Sequence, residues 1–135
     1  MALQSLFEID SAGHAPTQVL KERLAQGNLN ETGRTFVRSL VRGVLDHWSD
    51  LNSTIESIAT DWPLGQMAIV DRNILRLAIY EISIDRQTPV KVVINEAVEL
   101  AKMFGSDSSR RFVNGVLGTV ASSLQVMPAQ RGSKQ

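Results

Sequence analysis

The segment from Asn95 to Leu117, NEAVELAKMFGSDSSRRFVNGVL, places carboxylates, cations, amides and hydroxyls close together in the chain. Within it, Glu96 and Glu99 are three residues apart and would share one face of a helix. Such a pair could transfer protons or bind a metal ion, but it could equally form salt bridges with a neighbour such as Lys102. No second set of metal ligands accompanies the pair in the sequence, so these carboxylates alone do not indicate an active site.

Other catalytic groups are scarce in the 135-residue sequence. The two histidines, His14 and His47, are far apart, and neither belongs to an HExxH or ExxH pattern. The sequence contains no glycine-rich phosphate loop and no GxSxG nucleophile motif. It also contains no cysteine, which excludes disulfides and thiolate metal ligands. We therefore expect no enzymatic activity, no catalytic residue, no cofactor and no structural metal.

A stripe of arginines recurs at every fourth position in the first half of the chain, at Arg34, Arg38 and Arg42. On a helix this spacing places the three guanidinium groups along one side, next to the apolar face. The stripe can be a solvated flank, or it can contact phosphate groups, and the sequence allows both interpretations.

A second basic group surrounds the predicted turn Gly105–Ser109, with Lys102 before it and Arg110 and Arg111 after it. The turn offers hydroxyl groups and the free N–H groups of a helix start. Both suit phosphate oxygens, so these three cations are candidate phosphate-binding residues.

The overall charge limits how strongly the chain could hold nucleic acid alone. Its 14 basic and 14 acidic residues cancel, whereas a protein that binds by neutralising phosphates is usually basic. A neutral chain favours weak binding or binding together with a partner. The longest apolar runs are far shorter than the ~20 residues of a membrane span, and no secretory signal is visible. We expect no membrane contact and a cytoplasmic location.

Apolar residues at helical spacing recur along the whole chain, and strand patterns are scarce, so we predict an all-α fold of six or seven helices. The spacing indicates one long helix from Thr32 to about Thr60, an interruption at Trp62–Gly65, and a largely buried central helix at Met67–Ile84. A helix that stops at Gly105 and a last helix through Leu124 follow. We expect one domain, 1–124, with subdomains 1–62 and 63–124, followed by a flexible tail at 125–135.

Several segments together resemble the hallmark sequences of the NusB family of bacterial transcription antitermination factors. They are DRNILRLAIYEI, PVKVVINEAVELAKMFG and RRFVNGVL, while ALQSLFEID resembles the first helix of the family and FVRSLVRGV its third. The similarity is strongest over Asp71–Leu117. The resemblance implies a bundle of two small helical subdomains and a factor without catalytic activity.

The resemblance also implies partners. Family members pair with NusE, a ribosomal protein of the small subunit, and bind the boxA element of nascent RNA in the transcription elongation complex, which supports transcription of ribosomal RNA operons. A homodimer is compatible with it. Glu81 matches a family position at the NusE contact, and an exposed acid there would suit a basic partner. Phe7 matches an aromatic near the RNA, although it could instead pack in the core against the second helix. Lys102, Arg110 and Arg111 would bind RNA.

One departure from the family pattern changes the expectation for RNA. Family members usually carry an arginine-rich segment just before the first helix, and the sequence here begins Met1-Ala2-Leu3. Since each lost phosphate contact weakens binding, we expect weak RNA binding that NusE would strengthen. The alternative is a NusB-like protein-interaction module with little or no RNA binding.

The segment from Asn95 to Leu117 is thus expected to be scaffold plus a binding edge. We expect Gly115 to permit a close approach of two helices, and Asn95 and Asn114 to satisfy buried polar groups. The predicted core positions are Val98, Ala101, Phe104, Phe112, Val113, Val116 and Leu117.

Overall fold

The computed structural model describes the backbone of residues 1–131 and the side chains of residues 1–124. Over that range the chain is helical and contains no strand, which confirms the all-α prediction. A 3₁₀ turn, Leu64–Gln66, precedes the fifth helix, and a π-helical turn, Glu81–Asp85, follows it. The seven helices are α1 Ala2–Ala12, α2 Pro16–Gln26, α3 Glu31–Asp46, α4 Trp48–Ile58, α5 Ile69–Tyr80, α6 Val90–Phe104 and α7 Ser109–Arg131.

The long helix predicted from Thr32 to Thr60 is wrong in one respect, because it is divided at His47 into α3 and α4. The N–H of His47 donates to the carbonyls of Gly43 and Val44, and its ring Nδ1 lies 2.8 Å from the same Gly43 oxygen. A polar side chain that competes for backbone groups in this way favours a break. The apolar spacing continues across the break, so periodicity alone did not reveal it.

Helix α5 forms the centre of the molecule, as its apolar circumference predicted. It packs against α1, α3, α4, α6 and α7. Ile74, Leu75 and Ile79 are almost completely buried. The helix then widens into the π-helical turn, and Arg86, with a φ of 58°, ends it in the left-handed region.

A buried polar cluster joins α1 to α5. The carboxylate of Asp10 accepts hydrogen bonds from Arg72 at 2.8 and 3.0 Å, from Asn73 at 2.9 Å and from Arg76 at 2.8 Å. The guanidinium of Arg76 also lies 3.8 Å from the ring centre of Trp48 on α4. Burial raises the pKa of Asp10, but these hydrogen bonds outweigh burial and hold the pKa below its ordinary value.

Glycine has its packing role at a position other than the predicted one. A Cβ atom on Gly43 of α3 would collide with the ring of Tyr80 on α5, so only glycine permits this approach. Gly115, for which a close approach was predicted, has open space around it, and that prediction is wrong. A sequence pattern does not show which glycine faces a neighbouring helix.

This difference predicts opposite effects for two matched substitutions. Gly43→Ala should lower the free energy of unfolding by about 1–3 kcal/mol, because the added methyl group overpacks the contact with Tyr80. Gly115→Ala should raise it by roughly 0.5–1 kcal/mol, since alanine is the better helix former. Urea unfolding of both variants measures the two effects. Equal changes in both variants would contradict the assigned contact.

The predicted subdomain boundary crosses a continuous core, because buried side chains before and after residue 62 belong to one cluster. The division into 1–62 and 63–124 therefore stays a prediction. Helix α7 runs past Leu124 to Arg131. The flexible tail predicted for 125–135 lies outside the residues whose side chains are described, and 132–135 lie outside the described backbone. Among the described helices, none is both long and apolar enough to cross a membrane.

Candidate functional site

The turn between α6 and α7 is held by short polar contacts. The hydroxyl of Ser109, which is fully buried, accepts a hydrogen bond from the N–H of Ser106 at 2.9 Å. A Cβ atom on Gly105 would collide with the Ser109 side chain, so glycine is needed for the close approach. The turn therefore presents the start of α7 in a fixed position.

The three cations predicted around this turn are all exposed. Lys102 lies in the last turn of α6, and Arg110 and Arg111 lie in the first turn of α7. Among the described side chains, none of the three forms an ion pair with a carboxylate. Their charges are thus free to bind an anion from outside.

A cavity of about 400 Å³ lies beside the turn and joins it to the segment that precedes α5. Its wall combines aromatic rings, hydroxyls, a cation and an acid. Trp62 is 55% exposed, and Phe112 is partly buried against the core. The residues that line it are Trp62, Gln66, Met67, Ala68, Asp71, Ser106, Ser108, Arg111 and Phe112.

Asp71 is the unusual group in this wall. The residue is only 8% exposed, and its Oδ1 atom is buried without a hydrogen-bond partner among the described protein atoms. Buried polar atoms are nearly always paired, so an unpaired carboxylate oxygen in the wall of a cavity suits a donor supplied by another molecule. A cationic side chain would satisfy it best.

Phe7 lies on α1 and is 38% exposed, whereas its neighbour Leu6 is fully buried. The alternative of core packing for Phe7 is therefore wrong, and the ring is available at the surface. It does not line the cavity beside the α6–α7 turn.

Glu81 is less exposed than predicted, because it begins the π-helical turn after α5 and is half-buried. Burial, and after it the nearby carboxylates of Glu96 and Asp85, together raise the pKa of Glu81 to about 7. Glu81 is not part of the cavity wall. Glu81 is therefore an acidic position separate from the cavity that contains Asp71 and Arg111.

The raised pKa of Glu81 has a consequence for stability. The folded state holds the proton of Glu81 more tightly than the unfolded state does. The stabilisation from this proton is fully present below the ordinary pKa of 4.5 and is lost as pH rises through about 7. The melting temperature of the wild type should therefore fall over this window, and that of Glu81→Gln should fall less. Thermal unfolding at a series of pH values measures both. The pKa values of Glu8 and Asp10 are lowered, so these two carboxyl groups change the stability only at pH values below this window. Identical pH profiles would contradict the assigned environment.

Residues 1–122 match the model of the NusB family. A transcription antitermination protein NusB from Roseiflexus sp. strain RS-1 is 53% identical over 124 residues, which cover 90% of this chain and 87% of the relative. The chain belongs to the NusB family. NusB proteins are transcription antitermination factors and not enzymes, in agreement with the prediction drawn from the sequence.

Solved NusB structures share the fold. The chain is similar to a T. maritima NusB structure, with 32% identity, a TM-score of 0.84, and coverage of 90% of this chain and 85% of that one. It is also similar to a chain in a crystal structure of the antitermination factors NusB and NusE in complex with dsRNA. There the identity is 26%, the TM-score is 0.83, and the coverage is 90% and 91%.

The three cations beside this turn were predicted from the sequence, but two residues of the cavity wall were missed. Trp62 was interpreted only as part of an interruption, and Asp71 only as the start of a family segment. The signal for Trp62 was an aromatic residue directly before a proline in a break between helices. Asp71 gave no signal, because burial without a partner is visible only in three dimensions.

Other side chains at this edge depart from the prediction. Phe104 was predicted to be a core residue, but it is 44% exposed because it is the last residue of α6. Asn95 and Asn114 are exposed and therefore do not satisfy buried groups. The other predicted core positions are buried or partly buried: Val98, Ala101, Phe112, Val113, Val116 and Leu117.

Proposed function

We propose that this chain pairs with the ribosomal protein NusE and, together with it, binds boxA-type single-stranded RNA at the α6–α7 edge. In this role it would act in the transcription elongation complex and support transcription of ribosomal RNA operons. The observation that carries the proposal is the cavity whose wall places the exposed side chains of Trp62 and Arg111 together with the unpaired buried carboxylate of Asp71. The similarity to a chain in the crystal structure of NusB and NusE in complex with dsRNA supports a role that involves NusE and RNA.

The RNA half of the proposal depends on two complementary contacts. Lys102, Arg110 and Arg111 would neutralise phosphates, because they are exposed and unpaired within the described part of the chain. The rings of Trp62 and Phe112 lie beside Arg111 and would stack on unpaired bases, each worth ~1–3 kcal/mol. Phe7 would add a stacking surface elsewhere on the strand.

The partner half depends on charge. The chain is neutral overall, so a basic partner would supply much of the positive potential that RNA requires. Asp71 offers an unsatisfied carboxylate oxygen in the cavity wall. Glu81 lies against two other acids, and an incoming cation would relieve that repulsion. Both acids are proposed NusE contacts.

The RNA-binding edge is tested by Arg110→Ala/Arg111→Ala in filter-binding titrations over a series of salt concentrations, with and without NusE. Loss of two phosphate contacts should weaken binding roughly tenfold at physiological salt and reduce the salt slope by about 1.4. Arg86→Asn/Lys91→Gln removes two charges elsewhere and is the control, since asparagine tolerates the left-handed backbone at residue 86. Wild-type affinity of the first variant at every salt concentration would favour the protein-interaction alternative.

A further inference from the structure

A second basic surface lies between α2 and α3. These two helices both pack on α1 but make few contacts with each other. They leave a cleft of about 360 Å³ between them. Its floor is formed by Leu20 and Leu24 of α2, and its other lining residues are Thr17, Lys21, Ala25, Arg34, Arg38 and Arg42.

The cleft is lined by four cations and by no carboxylate. Arg38 lies 3.8 Å from Glu31, which is outside the cleft, and both side chains are largely solvated, so this pair neutralises little. Within the described part of the chain, the side chain of Arg42 donates only to the hydroxyl of Thr17, at 3.3 Å. Like charges that converge from two helices repel each other, and an anion between them would remove that repulsion.

Arg34 provides an independent observation at the same place. Its Nε atom is buried and has no hydrogen-bond partner among the described protein atoms. A buried donor without an acceptor costs free energy, and a phosphate or carboxylate oxygen in the cleft would remove this cost.

The shape of the basic surface favours a chain of phosphates over one isolated anion. The arginines follow one another every four residues on α3, which is a rise of about 6 Å per step along the helix. A linear row of this kind can follow an extended polyanion. Leu20 and Leu24 are almost completely buried, so the cleft presents chiefly its cationic side chains, as contact with a sugar–phosphate backbone requires. The cleft shares no lining residue with the cavity beside the α6–α7 turn.

We propose that the cleft between α2 and α3 binds the sugar–phosphate backbone of single-stranded RNA as a second contact, separate from the α6–α7 edge. The inference rests on the proposed RNA-binding function, because it takes the same class of ligand. Arg34, Arg38 and Arg42 would contact successive phosphates, and Lys21 would add charge from the opposite wall.

The test is fluorescence anisotropy with labelled poly(U) RNA over a series of salt concentrations. Arg34→Gln/Arg42→Gln should bind roughly tenfold more weakly than wild type at physiological salt, with a salt slope lower by about 1.4. Arg86→Asn/Lys91→Gln removes the same charge outside both surfaces and should bind as wild type does. Circular dichroism and melting temperatures establish that each variant is folded, and Lys21→Gln gives a milder second variant.

The outcomes separate this inference from the function on which it rests. If poly(U) and boxA-type RNA both fail to bind wild type with NusE present, the proposed function and the cleft assignment both fall. If Arg110→Ala/Arg111→Ala weakens binding and Arg34→Gln/Arg42→Gln does not, the function stands and the cleft assignment is overturned. An equal loss in the control also overturns it. Polyglutamate that binds wild type more tightly than poly(U), and loses this affinity in the cleft variant, would assign the cleft to an acidic partner instead.

Discussion

Asp10→Ala should lower the free energy of unfolding by about 3–5 kcal/mol, the largest effect on stability expected for one substitution here. The reason is the charge that remains behind. The side chain of Arg76 is 3% exposed and that of Arg72 is 14% exposed, and both would lose their only carboxylate partner within the described chain. Since Asp10 also holds α1 against α5, the variant should lose the docking of the first helix as well.

Urea unfolding of Asp10→Ala measures this effect, with Asp61→Ala as a control at an exposed position, where a change within about 0.5 kcal/mol is expected. The lowered pKa of Asp10 adds a prediction about pH. Its contribution is present above the ordinary value of 3.8 and is lost as pH falls through the lower pKa of the folded state. The wild type should therefore lose this stability in acid. A difference from Asp61→Ala of less than about 1 kcal/mol at neutral pH would contradict the role of the cluster.

Asp71→Asn should weaken NusE binding about thirtyfold or more, corresponding to roughly 2 kcal/mol for a buried charge pair that loses one member. The replacement keeps the shape of the side chain and removes its charge. Stability of the isolated chain should fall by at most about 1 kcal/mol, because Oδ1 has no hydrogen-bond partner within the described structure and only the interaction of this first-turn acid with the α5 dipole is lost. Titration calorimetry with purified NusE measures the affinity, and thermal unfolding measures the stability.

Asp50→Asn is the matched control for this substitution. Asp50 occupies the third position of α4, as Asp71 does of α5, but it is exposed. Glu81→Lys belongs in the same titration and should weaken binding tenfold or more, about 1.4 kcal/mol. Its melting temperature should not fall at neutral pH, since a lysine there faces Glu96 and Asp85. Unchanged affinity in both acidic variants would remove Asp71 and Glu81 from the NusE contact.

The helical architecture could be predicted from the sequence because apolar spacing reports directly on which face a helix buries. The end of α6 at Gly105 followed from local chemistry in the same way. The break at His47 could not be found, because the apolar pattern continues through it while a polar contact ends α3. The π-helical turn after Tyr80 gave no local sequence signal either.

Of the candidate site, the sequence could predict only those residues whose role depends on exposure and charge. Arg110 and Arg111 met that condition, since a helix start next to a turn places them at the surface. Pairing across long sequence distances was not predictable, so Asp10 was not identified as the acceptor for two arginines of α5. The unpaired oxygen of Asp71 likewise depends on the packing of distant segments around it.

Joint RNA binding by this chain and NusE is tested by titrating labelled boxA-type single-stranded RNA with the chain alone, NusE alone and an equimolar mixture of the two. The proposed function predicts weak binding by either protein alone and binding at least tenfold tighter by the mixture, with a salt dependence steeper than that of either component. The mixture should also retain the RNA in a single complex that contains both proteins during size-exclusion chromatography. If the two proteins form a complex but the mixture binds RNA no better than NusE alone, the RNA role of this chain is contradicted, and the protein-interaction alternative replaces it.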